Sequence, residues 1–364
     1  MPTLLDSPWT RPQNNTIMTL RNLFLLFLVG LVVGCGSDGM DDEEPANAAF
    51  DRTALLTHWA DNVILPAYQD YATATLELNA AAEAYAAAPA AAELTALQNA
   101  FEAAYLRWQR ASPFLTGPAE DVRLLEQTNV YPTDTARLLE EPDANLELPA
   151  NADLQGFPAI DYLLYGTRGP SPHSDGIVRR TARLASLATQ VRDAWAGDYR
   201  DRYVAAAGSN ATASVDRTVN DYIFWYEKHL RAGKVGLPAG VFSSSPDPAL
   251  AEAPYHGALS RRLFQAGLRA ARDFFTTDPG LQRYLDELGV ERDGQLLSQR
   301  VTANFDMAGA IASGLNDNLG DQVRADNTAM LQLYDLLQRN VILLKVDMLQ
   351  ALNINVDYVD ADGD

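Results

Sequence analysis

Apolar residues recur along the chain at the spacing of one helix face, as in Leu55, Trp59, Ile64, Tyr68 and Tyr71, and no two-residue alternation is sustained. The pattern predicts an all-α protein, with helices over 50–86 (bent at Pro66), 90–112, 119–140, 157–165, 175–206, 212–232, 256–288 with interruptions, 291–315 and 321–352. Helices of such length suit packed bundles. Breaks are expected where glycine and proline gather, at Gly117-Pro118, at Tyr131-Pro132 and over 165–175. The longest irregular stretch is 233–255, with Gly233, Gly236, Pro238, Gly240, Pro246, Pro248 and Pro254. It reads as a seam between two bundles or as a loop covering a site.

One apolar run differs from the rest. Leu23 to Val33 is unbroken, follows Arg21 and ends at Gly34, the layout of an export signal and short for a bilayer span. Val32-Val33-Gly34-Cys35 then has the order of a lipobox, in which the cysteine is acylated and becomes the new N-terminus. The expected organisation is a signal peptide over 1–34 starting at Met18, lipidated Cys35 with an acidic tether to 48, a folded domain over 49–355 and an acidic tail over 356–364. The alternative is a plain N-terminal transmembrane anchor with an incidental cysteine. On the first reading the protein sits in the cell envelope, on the periplasmic or outer-membrane side, held to a membrane through Cys35.

Composition narrows the chemistry. Hydrophobic residues make up 47% of the chain, enough for a substantial core, and the net charge of −20 disfavours nucleic acid and anionic lipid surfaces as partners. Cys35 is the only cysteine, which removes disulfides, thiolate catalysis and cysteine-ligated metals from the folded part. Zincin, nucleophile-elbow, phosphate-loop and dinucleotide signatures are missing; Gly233-Lys234 fails as a phosphate loop because Val235 stands where a hydroxyl is needed. His58 and Asp61 share a helix face and could meet one metal or simply face solvent, while His173, His229 and His256 are scattered. Asp360-x-Asp362-Gly363-Asp364 opens like a calcium loop but lacks the distal ligands, so it reads as a tail.

The most distinctive local sequence is Gly156-Phe157-Pro158-Ala159-Ile160-Asp161-Tyr162-Leu163-Leu164-Tyr165-Gly166. By itself it predicts a short helix with Pro158 in its first turn, Ile160, Leu163 and Leu164 facing inward, and Asp161 favouring the positive end of the dipole. It also resembles the Gly-x-His-x-x-Glu motif of the imelysin (M75 peptidase) family. Further markers resemble that family in order: Asn62 to Pro66, Trp108-Gln109 with Gly117-Pro118, Tyr131 to Asp134, and His229 to Gly240 including Lys234. The resemblance implies two packed helical bundles, an exported and often lipid-anchored protein, an association with iron, and a motif lying in a groove between helices. Gly156, Pro158, Asp161, Trp108 and Lys234 are then the groove candidates. Pro158 stands at the motif's histidine position and Asp161 at its glutamate position. Proline can neither ligate a metal nor carry a proton, so the histidine-based site is expected to be missing.

Three functions remain open. The first is a noncatalytic envelope lipoprotein binding a ligand, such as an iron species or another divalent metal at Asp161, or a partner protein. The second is a metallopeptidase using other residues, and the third is a docking lipoprotein. What surrounds Asp161 separates them: converging carboxylates, His229 or His256 would revive a metal site, and packed apolar side chains would leave only a helix-stabilising acid.

Overall fold

The computed structural model describes residues 50–166, 168–243 and 245–356. Cys35, the signal and tether segments and the tail from Asp357 lie outside them. The first helix begins at α1 (Arg52–His58), where Asp51 accepts the N–H of Ala54, and runs through a π-helical turn (Trp59–Ile64) into α2 (Leu65–Ala87). The wide turn lies just ahead of Pro66, whose missing N–H cannot supply an i→i−4 bond. Then come α3 (Ala91–Ala111), the short α4 (Pro118–Asp121), α5 (Leu124–Thr128) and α6 (Thr135–Glu140), α7 (Gly156–Tyr165), α8 (Ser174–Ala194) and α9 (Arg200–Ala205). α10 (Ser214–Phe224) continues as a π-helical stretch over Trp225–Gly236. The C-terminal part holds α11 (Ser260–Thr276), α12 (Leu281–Glu287), α13 (Leu297–Ser313), α14 (Leu319–Ala325), α15 (Thr328–Ile342) with its π-helical extension Leu343–Met348, and α16 (Leu349–Ala351).

The fold is all-α. α2 packs along α3 and α8, with α7 against α8; the α10 extension, α11, α13 and α15 pack on one another, and α3 against α11 joins the two sets. Leu55, Trp59, Ile64, Tyr68 and Tyr71 are all buried, as their spacing predicts, and so are Ile160, Leu163 and Leu164. Among the described residues no helix is long and apolar enough to cross a membrane.

Four expected elements differ. The single helix over 119–140 is three short ones, because Arg123 turns the chain at φ 51° and residues 129–134, which include the cis Tyr131-Pro132 bond, are non-helical. The helix expected to stop at 232 runs on to Gly236. That glycine permits close packing there, since a Cβ on it would meet the rings of Phe242 and Tyr334 at 2.7 and 2.8 Å. The stretch from 291 opens as a two-stranded hairpin, β1 (Glu291–Arg292) with β2 (Gln295–Leu296), turned by Asp293 and Gly294 at positive φ. The last helix divides at Asp326 and Asn327.

Candidate functional site

α7 is held at its first residue. Gly156 sits at φ +71° with the Thr128 carbonyl where a Cβ would lie, at 2.1 Å, so only glycine brings this helix so close to the end of α5. Phe157 stacks on Tyr105 of α3 at 4.3 Å between centroids, which fixes the helix rotationally. That rotation turns Asp161, 0% exposed, toward the segment that follows α10. Pro158 and Ala159 are buried beside it.

Asp161 meets neither a metal-ligand set nor an apolar ring. Its Oδ2 accepts the backbone N–H of Tyr255 at 3.0 Å, and the neighbouring N–H of His256 adds a further attraction to the carboxylate. Burial pushes its pKa up to about 7, aided by the charge of Glu252 and opposed by the two N–H groups. His256, brought here through its backbone, turns its ring away to Glu102 on α3, with Nε2 2.8 Å from Oε1. Glu102 also takes Arg262 from α11; burial works against its charge, yet Arg262 and His256 together hold its carboxyl below the usual range.

Four residues upstream of His256, Glu252 is 2% exposed and binds both helix sets. Its Oε2 pairs with buried Lys234, and its Oε1 accepts from Asn129 at 2.8 Å and from Gln109 at 3.4 Å. Tyr105 donates to Asn129 Oδ1 at 2.7 Å, closing the network onto the ring that stacks on Phe157. Burial lowers the Lys234 pKa, with Glu252 opposing. The stretch Glu252 to His256 is therefore a clasp between the helix sets, and Asp161 is one of its three fastenings. Three polar atoms around it, Asp161 Oδ1, Tyr165 Oη and His256 Nδ1, are buried without a hydrogen-bond partner. The Tyr165 and His256 rings are 4.6 Å apart.

Of the sequence-predicted residues, Gly156, Pro158, Asp161 and Lys234 come together around this clasp. Trp108 does not reach it; its ring packs on Tyr71, 5.3 Å away. His229 is half-buried with its ring against Phe224, 5.7 Å between centroids, and desolvation and then the charge of nearby Lys234 lower its pKa to about 4. Asp61 pairs with Arg200 at 2.6 Å and His58 bonds Thr277, so the two side chains are turned to separate partners. Among the described residues no group of three or more His, Cys, Asp or Glu side chains is arranged to hold a metal ion. Four surface clefts of 170–470 Å³ are lined without Asp161. Glu102, Asn129 and Glu252 carry the clasp and stand in no recognisable motif; the crowding of proline and glycine after 233 was their only signal.

These features define an all-α protein of two helix sets clasped at a buried polar cluster on a Gly-Phe-Pro-Ala-x-Asp helix. The family model for imelysin, peptidase M75, matches residues 64–342, and the chain belongs to that family. A curated relative, iron-regulated protein A of Synechococcus elongatus, is 28% identical over 157 residues, 42% of this chain and 43% of that protein, so the match spans less than half of either. An imelysin-like protein from Psychrobacter arcticum 273-4 has a solved structure that matches at a TM-score of 0.69, with 20% identity over 84% of this chain and 97% of that one. A second, described as an iron-regulated protein A precursor from Parabacteroides distasonis, matches at 0.69 with 13% identity over 82% and 94%. At these identities the two structures bear on the fold.

Proposed function

We propose that this chain is a noncatalytic imelysin-type lipoprotein of the cell envelope, anchored through Cys35, which captures a ligand or partner in an iron-linked setting and cleaves nothing. The observation that carries the reading is the state of the motif. Pro158 offers no ligand, and the Asp161 carboxylate is fully buried and engaged by the N–H groups of Tyr255 and His256. A metallopeptidase needs several metal ligands with an open position for water, and one enclosed carboxylate provides neither. The iron link draws on the names of two relatives. Asp161 Oδ1 and His256 Nδ1 are left without hydrogen-bond partners, but His256 spends Nε2 on Glu102, Glu252 is paired with Lys234, and among the described residues no set of three His, Cys, Asp or Glu side chains completes a metal site around them.

Calorimetric titration of the purified folded domain with ferric, ferrous, zinc and calcium ions, each with and without a chelating carboxylate, tests the binding role. Saturable binding of an iron species is expected, and heats indistinguishable from dilution for every one would refute it. Anchoring is tested separately by labelling cells with radioactive palmitate: the wild-type chain takes the label and Cys35→Ala does not. An unlabelled wild-type chain would remove the anchor.

A further inference from the structure

On the outside of the same α3–α11 junction lies a cleft of 380 Å³ lined by Ala103, Leu106, Arg107, Arg110, Ala266, Arg269, Ala270 and Asp273. Three alanines keep its floor shallow in side-chain atoms, and that leaves the volume open. The walls are basic in a chain with 48 acidic and 28 basic residues. Arg107 and Arg110, three apart on α3, share one helix face. Both reach a single oxygen, Asp70 Oδ2, at 3.5 and 3.1 Å, and both remain about half exposed. One carboxylate oxygen cannot occupy two guanidinium forks, so most of their N–H donors stay available. Across the cleft, Arg269 of α11 is exposed and makes no ion pair among the described residues. Asp273 is the one acid in the lining, and its carboxylate is an acceptor that a hydroxyl can use.

We propose that the cleft between α3 and α11 binds a small hydroxycarboxylate with two or three carboxylates, either free or as the chelate of a ferric ion. Arginine pairs flat and bidentate with a carboxylate, and arginines on facing walls can each take one end of such a molecule. The volume lies within the range that small-ligand sites occupy. The ferric form of this proposal rests on the iron-linked reading above; the carboxylate form does not. In the ferric form the ligand brings its own iron-binding oxygens, which answers the want of three converging metal ligands among the described residues.

The test is calorimetry on the folded domain at low salt, with citrate, tricarballylate (the same carboxylates without the hydroxyl), ferric citrate and inorganic phosphate as probes. Citrate is expected to bind saturably, tricarballylate several-fold more weakly, and phosphate at least tenfold more weakly. Arg269→Gln, an exposed change that leaves the Asp70 pairs intact, is expected to weaken citrate tenfold or more, and Arg269→Lys to restore only part of the loss. Binding of ferric citrate through the same arginines supports the chelate form; binding of citrate but not ferric citrate confines the site to free carboxylates and overturns that form alone. Citrate that gives no saturable heat, or binds Arg269→Gln as well as wild type, overturns the proposal. Ferric ion bound without any carboxylate, and unaffected by Arg269→Gln, would instead sustain the iron-linked reading at a different place.

Discussion

Glu252→Ala is expected to lower the unfolding free energy by about 3–5 kcal/mol, the cost of leaving a buried charge without its partner. Lys234 is 3% exposed and pairs with Glu252, while Asn129 and Gln109 lose their acceptor in the same substitution. Urea unfolding at neutral pH measures it. Adding Lys234→Met should recover much of the loss, because an apolar side chain has no desolvation penalty to offset. A loss below about 1 kcal/mol for the single variant would mean that the clasp does not hold the two helix sets together.

The second large effect concerns Asp161 and is a pH dependence. Its folded-state pKa of about 7 lies above the ordinary 3.8, so folding favours the protonated acid. The contribution is fully present below about pH 3.8 and is lost as pH rises through about 7. Between those limits it amounts to on the order of 4 kcal/mol. Glu102, whose carboxyl is held low, works in the opposite direction and weakens the fold as pH falls, so wild-type stability alone does not isolate Asp161. The difference between wild type and Asp161→Asn does. Asparagine keeps an oxygen for the Tyr255 N–H and cannot ionise, so the difference should move by about 4 kcal/mol in its favour between pH 4 and pH 8. A constant difference over that range would show that Asp161 is not the titrating group. Asp161→Ala strands the Tyr255 N–H and should cost about 1–3 kcal/mol at any pH.

How much of this was legible in the sequence follows from how local each feature is. The helices, their buried faces and the short helix on Gly156 to Tyr165 depend on neighbouring residues, and periodicity with Gly and Pro punctuation reports those directly. The Asp293-Gly294 pair is of the kind that turns hairpins, and the reading of 291–315 as one helix passed over it. Arg123 at φ 51° carried no signal, since arginine does not favour that conformation. The clasp was illegible for a different reason. Glu102 and His256 are 154 residues apart and Asn129 and Glu252 are 123 apart, so only tertiary packing brings them together. Asp161 was visible as the odd acid of an apolar helix, and its role as acceptor for a distant backbone was not.

Cleavage is the outcome that separates this account from the peptidase label of its family. Purified protein should be incubated with unfolded casein, with and without added zinc, and the products read by mass spectrometry beside Asp161→Asn. Casein left intact under every condition is the predicted result. Metal-dependent fragments that vanish with Asp161→Asn would contradict it, and would make the enclosed carboxylate a catalytic group that the clasp must release.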